Sequence, residues 1–219
     1  LTLMKDIAIY GAGGFGKEVA CLIDRINKAA GEPRWRLIGF FDDGKAAGTQ
    51  ISHYGPVLGG MKEINAWPSQ LDVVIAIAKP SAICAIIEKI RNPHIHFPNV
   101  IDPDFQLADA ATFRMGHGNI IQAGCYFSCD VTIGNFNVFN GSVVIGHDSV
   151  IGNFNVIMPA VRLSGEVSLG EENLLGVNCA VLQQLRIGSR VHLAAGSVLM
   201  TKPKDGNVYI GVPAKLFRF

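Results

Sequence analysis

Three residues carry the chemistry most plainly in this 219-residue chain: His147, Asp148 and, eighteen positions on, Gly165. Histidine changes charge nearest neutral pH, so it can take a proton from an attacking group and hand it on. A neighbouring carboxylate can fix the imidazole tautomer and steady the imidazolium that forms. Glycine leaves room for a thioester and exposes a backbone N–H to its carbonyl oxygen as negative charge develops there. Base, orienting acid and oxyanion donor together suit acyl transfer. The plain alternative is a solvated histidine and a turn glycine, and the spacing of eighteen decides between them only if eighteen is a structural period.

A second constellation lies near the N-terminus. Gly11, Gly13 and Gly16 form a G-x-G-x-x-G run, with Gly14 and Phe15 inside it, between an apolar strand and a helix. That context suits a phosphate held on a helix N-terminus. Asp42 and Asp43 follow the next strand, where an acid can bond a ribose or a base. A nicotinamide enzyme is the obvious rival, but nothing in residues 5–98 looks like a hydride-transfer site. A purely structural turn is the other alternative.

The elements that must position these residues fall into two grammars. Residues 5–98 alternate strand and helix: strands at Asp6–Tyr10, Arg36–Phe41 and Asp72–Ile77, and helices at Lys17–Ala29 and Ser81–Ile90. This predicts a small parallel sheet flanked by helices. Pro93, Pro98 and Pro103 punctuate Asn92–Asp104, read as the interdomain connection. Beyond it, a large apolar residue recurs every sixth position from Met115 through Ile121, Phe127 and onward to Leu193. No single hexad can bury its own apolar face, so a short fixed period means stacked units. Three hexads per coil make a triangular prism of at least four coils, with period eighteen. Small residues four places after each apolar position (Cys125, Val143, Ser149) and glycines one place after (Gly134, Gly146, Gly176) suit sharp corners.

The period also serves as a ruler. His117, His147 and His192 would make three zinc ligands, but they differ by 30 and 45, not multiples of 18, and so lie on different edges. No metal is expected. Gly165, by contrast, stands one coil from His147.

Composition excludes several classes. A net charge of +1 with 17% charged residues gives no basic or acidic face for nucleic acid. The apolar stretch Val73–Ala78 is far too short to span a bilayer. Leu1–Lys5 lacks the apolar core of a signal peptide. Five cysteines is an odd count; Cys125 and Cys129 could pair, but free thiols in a reducing cytoplasm fit better. A cytoplasmic protein without membrane insertion is expected.

The chain resembles the sialic-acid O-acetyltransferase/nucleotide-sugar N-acetyltransferase family of hexapeptide-repeat acyltransferases. The resemblance is carried by Ile9–Lys17, Phe41–Asp43, Asn140–Asp148, Leu175–Cys179 and Gly211–Lys215. It implies an α/β, Rossmann-like nucleotide-sugar-binding domain over 1–98 and a left-handed parallel β-helix with a C-terminal tail over 99–219. It implies a homotrimer using acetyl-CoA, with His147 as base and Gly165 at the acetyl group. The glycine turn (Gly11, Gly13, Gly14, Phe15, Gly16) with Asp42 and Asp43 would hold a nucleotide-linked sugar. Asn140 would steady the acceptor, with an asparagine ladder at a corner as the alternative. Gly176, Val177, Ala195 and Gly196 would line a pantetheine arm, and Pro213 and Lys215, with Lys202 and Lys204, would frame the coenzyme's phosphates and adenine. Three departures stand out: Phe15 and Val156 occupy positions where the family has histidines, and Ala76–Pro80 replaces its Gly-Asn/Asp-Asn-x-x-Arg run. The acceptor could therefore be an amine or a hydroxyl. An O-acetyltransferase of a free sugar or amino acid, and a non-catalytic nucleotide-sugar or CoA-binding protein, remain as other readings.

Overall fold

The computed structural model describes residues 4–218 as two compact units. Leu1–Leu3, part of the segment read for a signal peptide, lie outside the described residues. The first unit runs to Pro103, apart from Lys79–Ser81, and the second takes Asp104 onward. Residues 92–103 group with the first unit, where the expected division lay at 98/99.

In the first unit, β1 (Lys5–Tyr10), α1 (Gly14–Ala29) and β2 (Trp35–Phe41) form the opening β-α-β step. Two short strands, β3 (Gln50–Ile51) and β4 (Gly55–Gly59), lead into α2 (Met61–Asn65), β5 (Leu71–Ile75), α3 (Pro80–Lys89) and β6 (Ile95–His96). The sheet order is β3-β4-β2-β1-β5-β6, parallel except for the β3–β4 pair. Strands β3 and β4 and helix α2 escaped the sequence reading because each is short and glycine-flanked, without a full period of apolar residues. Ile7, Ile9, Phe40, Val73 and Val74 are buried in the sheet, and Val19, Leu22 and Ile23 are buried on α1, which packs on β1 and β2. The bidentate pair of Arg25 with the buried Asp102 carboxylate, at 2.8 and 3.0 Å, ties the last part of this unit to α1.

The second unit is the expected prism. Two-residue strands repeat from Gln106–Leu107 to His192–Leu193, fifteen in all and three to a coil, which makes five coils. Each strand pairs in parallel with the one eighteen residues away, as Val144–Ile145 does with Tyr126–Phe127 and Arg162–Leu163. In chain order, the first face contains Val144–Ile145, the second Val150–Ile151 and the third Val156–Ile157. Ile121, Phe127, Ile145, Ile157, Leu175 and Leu193 fill the interior and are wholly buried, whereas Met115 in the first coil is only half-buried.

The corners turn by a different device from the one the glycines suggested. The left-handed residue lies three places after each inward side chain and is mostly not glycine: Asp130, Ser142, Asp148, Glu166 and Asn178 all have φ between 54° and 62°. The glycines one place after the inward residue are needed for stacking instead. A Cβ on Gly134 would stand 2.7 Å from the carbonyl oxygen of Gly152 in the next coil. Between the second and third faces, Asn119, Asn137, Asn155 and Asn173 form a buried ladder. Each Oδ1 accepts the backbone N–H eighteen residues on, at 2.8–3.0 Å, so no amide in the row is stranded. After the first-face strand Val198–Leu199, the chain ends in a short hairpin, Val208–Ile210 against Lys215–Phe217.

Candidate active site

His147 and Asp148 occupy the corner between the first and second faces. Nδ1 of His147 lies 2.7 Å from Oδ2 of Asp148, and both side chains are more than half exposed. The left-handed backbone of Asp148 (φ 55°) swings its carboxylate back beside the preceding ring. This leaves Nε2 as the position that exchanges protons with a substrate.

Gly165 is where the period placed it. A Cβ there would stand 2.6 Å from Cε1 and 3.0 Å from Cδ2 of His147, with Nε2 closer still, so the imidazole rests on the bare Cα. The ladder hydrogen bonds run on either side: Gly146 N donates to Leu163 O at 2.8 Å and Glu166 N to His147 O at 2.7 Å. No protein acceptor takes the Gly165 N–H among the described residues. That donor fits a developing oxyanion beside Nε2.

The remaining residues of the β-helix group elsewhere. Asn140 stands at the corner between the third and first faces, nearly buried, with its Nδ2 directed to Ile157 O at 3.4 Å and Met158 Sδ at 3.7 Å. Within one chain it does not meet His147, and the asparagine ladder lies at yet another corner. Gly176, Val177, Ala195 and Gly196 share Asn140's corner: Gly196 N donates to Val177 O, and a Cβ on Gly176 would stand 2.6 Å from Ala195 N. The tail continues this row, since Gly211 N donates to Ser197 Oγ at 3.0 Å and Ala214 N to Val198 O at 2.8 Å. Exposed Pro213 and Lys215 thus extend a single small-residue edge. Val156 is fully buried on the third face and offers nothing to a ligand. His117 and His192 lie at a different corner and on the third face, so the three histidines share no edge. No disulfide joins cysteines among the described residues, and Cys125 is buried, donating to Asn140 O at 3.1 Å.

In the first unit the glycine turn divides into structural and open positions. Gly11 (φ +111°) and Gly16 have no room for a Cβ: the first would meet Ala76 O, the second Gly11 O. Gly13 and Gly14 face open space, and α1 begins without a side-chain cap. The first N–H groups of a sixteen-residue helix are therefore presented outward, which suits an anionic group. The half-buried Phe15 adds an aromatic edge in the same turn.

The two acids are largely occupied in shaping this turn. Asp42 accepts from Ala12 N at 2.8 Å and Gly44 N at 2.9 Å. Asp43 accepts from Met61 N at 2.7 Å and from the Tyr10 hydroxyl at 2.5 Å. Burial, with this bond to Asp43, pushes the Tyr10 phenol well above its ordinary pKa. Sequence reasoning gave the acids to the ligand; their hydrogen bonds give them first to the loop.

Fold and corner together resemble those of the hexapeptide-repeat acyltransferases, here preceded by a nucleotide-type α/β unit. Comparison with known proteins agrees. Residues 6–90 match the PglD N-terminal domain family. PerB from Caulobacter crescentus, solved with CoA and GDP-perosamine, superposes with a TM-score of 0.84 at 27% identity, over 99% of both chains. The acetyltransferase domain of PglB from Neisseria gonorrhoeae, solved with acetyl coenzyme A, gives 0.85 at 27% identity, over 98% of this chain and 100% of that one. WeeI from Acinetobacter baumannii shares the fold, with a TM-score of 0.85 at 24% identity, over 98% of this chain and 100% of that one. No curated protein sequence matches the chain. The resemblance to the nucleotide-sugar acetyltransferases holds along the full chain, and the prism is a left-handed β-helix of their kind.

Proposed function

We propose that this protein transfers the acetyl group of acetyl-CoA to an amino group on a nucleotide-linked sugar, in the making of a surface glycan or a sialic-acid-type sugar. The observation that carries the reading is the His147 ring resting on Gly165, with Asp148 on Nδ1 and an uncommitted N–H beside Nε2. The full-length likeness to PerB and to the PglB acetyltransferase domain supports substrate and co-substrate.

The chemistry follows from this corner. The acceptor ammonium first loses one proton to solvent. Its lone pair forms the N–C bond to the thioester carbon, while Nε2 of His147 takes a second proton from the same nitrogen. Asp148 steadies the resulting imidazolium, and the Gly165 N–H donates to the oxyanion. As the C–S bond breaks, its electron pair leaves on sulfur, which receives the proton from His147. One proton is released per turnover.

The assembly reading rests on the division of residues between two corners. His147, Asp148 and Gly165 lie on one, whereas Asn140, Gly176, Val177, Ala195, Gly196, Pro213 and Lys215 lie on another, across the first face. A homotrimer that sets one copy's small-residue edge against its neighbour's histidine corner would complete the thioester site. Gly13 and Gly14 at the start of α1, with Phe15 beside them, would take the diphosphate sugar. No helix among the described residues is long and apolar enough to cross a membrane. The decisive test is release of free thiol from acetyl-CoA with GDP- and UDP-linked amino sugars, comparing wild type with His147→Ala. Near-equal rates would overturn the assignment.

A further inference from the structure

The corner between the second and third faces shows what becomes of the backbone N–H two places after an inward residue. There His117 N donates to Asn135 Oδ1 at 3.0 Å, Asn135 N to Asn153 Oδ1 at 2.7 Å and Glu171 N to Ser189 Oγ at 3.1 Å. Each acceptor is a short side chain eighteen residues on. Asn153 N breaks the series, because the position one coil on holds Glu171. That longer side chain passes the backbone N–H and accepts instead from Asn153 Nδ2, at 2.6 Å.

The histidine corner turns in the same way. Its left-handed residues Asp148 and Glu166 have φ 55° and 59°, the same values as Phe136 and Phe154 at the other corner. The Gly165 N–H is therefore aimed at the side chain of residue 183, as that of Asn135 is at residue 153. This residue is Gln183, set one coil along by the bond from Gln184 N to Gly165 O at 3.0 Å. Gln183 is exposed, and its carboxamide has no hydrogen-bond partner among the described residues. One coil is roughly 4.8 Å along the prism, a span that a glutamine covers. The adjacent Gln184 does so, reaching back one coil to donate to Glu166 at 3.1 and 3.3 Å. An asparagine or serine at 183 would close the Gly165 N–H with a ladder bond. A glutamine passes it, as Glu171 passes Asn153 N, and extends over a residue with no side chain of its own.

We infer that Gln183 is a further catalytic residue, whose Nε2 joins the Gly165 N–H on the carbonyl oxygen of the thioester. The inference rests on the acyl-transfer reading of His147. A carboxamide offers two N–H donors, and this one is not engaged by the protein. As the acceptor's lone pair forms the N–C bond, the carbonyl π pair moves onto oxygen, which then accepts from both donors. The pair returns to the carbonyl when the C–S bond breaks, and no proton leaves the carboxamide. Residue 183 thus has two tasks: it keeps the glycine N–H open, and it supplies the second hydrogen bond.

The test uses the full-length protein, acetyl-CoA and GDP- and UDP-linked amino sugars. Gln183→Ala should lower kcat by about 100-fold, the usual cost of one oxyanion donor, and leave the acetyl-CoA KM and the melting temperature unchanged. Gln183→Asn should be at least as slow with no loss of melting temperature, because its short carboxamide bonds the Gly165 N–H and removes both donors. Gln183→Glu keeps the length of the side chain but presents only acceptors, and should be as slow as Gln183→Ala. A kcat within twofold of wild type in Gln183→Ala, or a raised acetyl-CoA KM with kcat unchanged, would overturn the inference. The infrared carbonyl stretch of bound, carbonyl-labelled acetyl-CoA reads the two donors without any acceptor sugar. It should lie lower in wild type than in Gln183→Ala, and identical spectra would also overturn the inference. His147→Ala, assayed alongside, keeps the two readings apart. Transfer that needs His147 but not Gln183 sinks only the second donor, whereas a shifted carbonyl with transfer indifferent to His147 sinks the base.

Discussion

The imidazole of His147 rests on the Cα of Gly165, eighteen residues away, so closely that a Cβ on residue 165 would stand 2.6 Å from Cε1. Gly165 is therefore a positioning residue as well as a hydrogen-bond donor. Its backbone φ is not in the left-handed region, so glycine is required there for space and not for conformation.

Gly165→Ala should push the ring off its seat while leaving the prism folded. Displacements of about 1 Å at a reacting group cost on the order of 100-fold in rate. We expect a loss of that size in kcat with the melting temperature little changed, measured by thiol release and thermal unfolding. The double variant with His147→Ala should be no slower than His147→Ala alone, because both changes remove the same act.

Asp148→Asn should keep the ring near its place but remove the charge that steadies the imidazolium. The expected loss is roughly tenfold or more in kcat, with the acetyl-CoA KM unchanged. An unchanged melting temperature separates this from a folding defect.

The glycine turn gives a contrast in stability. Gly16→Ala drives a methyl group into Gly11 O, whereas Gly14→Ala meets open space. The first should destabilise the protein by roughly 2 kcal/mol or more, through backbone displacement in a packed helix–strand contact. The second should leave unfolding unchanged and weaken nucleotide-sugar binding alone. Denaturant unfolding beside calorimetric binding reads both.

Asn137→Ala interrupts the buried ladder in its middle, taking the acceptor from the Asn155 backbone N–H and the side-chain donor from Gly152 O. Each buried polar group left without a partner costs about 1–3 kcal/mol, so a loss of several kcal/mol is expected in chemical denaturation.

Tyr10 sets an alkaline limit. Its phenol is raised in the folded state, chiefly by burial and then by the bond to Asp43, so the protonated form is favoured by folding. That contribution is complete below the unfolded value of about 10 and is lost as pH rises beyond it. Tyr10→Phe should flatten the fall in stability above pH 10 and leave the neutral range lowered by about 1–3 kcal/mol.

Much of this was legible in the residues. The inward hexads, from Ile121 to Leu193, are buried throughout, and the coil arithmetic put His147 over Gly165. A strict period converts sequence separation into spatial adjacency, which ordinary folds do not allow. What was not legible has physical causes too. Asp42 and Asp43 are spoken for by Ala12, Gly44, Met61 and Tyr10, and backbone donors leave no mark in a sequence. Asn140 lies seven residues before His147, and that short separation conceals a whole prism face between them. The ladder Asn119, Asn137, Asn155 and Asn173 was readable by the same ruler; only Asn140, which breaks the series, drew notice.

Left-handed corners at every sixth residue also bear on how such a chain can change length. An insertion of one residue turns every later inward side chain outward, and an insertion of six ahead of His147 carries His147 and Gly165 together to a neighbouring edge. An insertion of eighteen ahead of Cys129 adds a coil and returns every partner to its place. The molecule can thus lengthen only in whole coils, and the distance from its catalytic corner to either end is a quantised property.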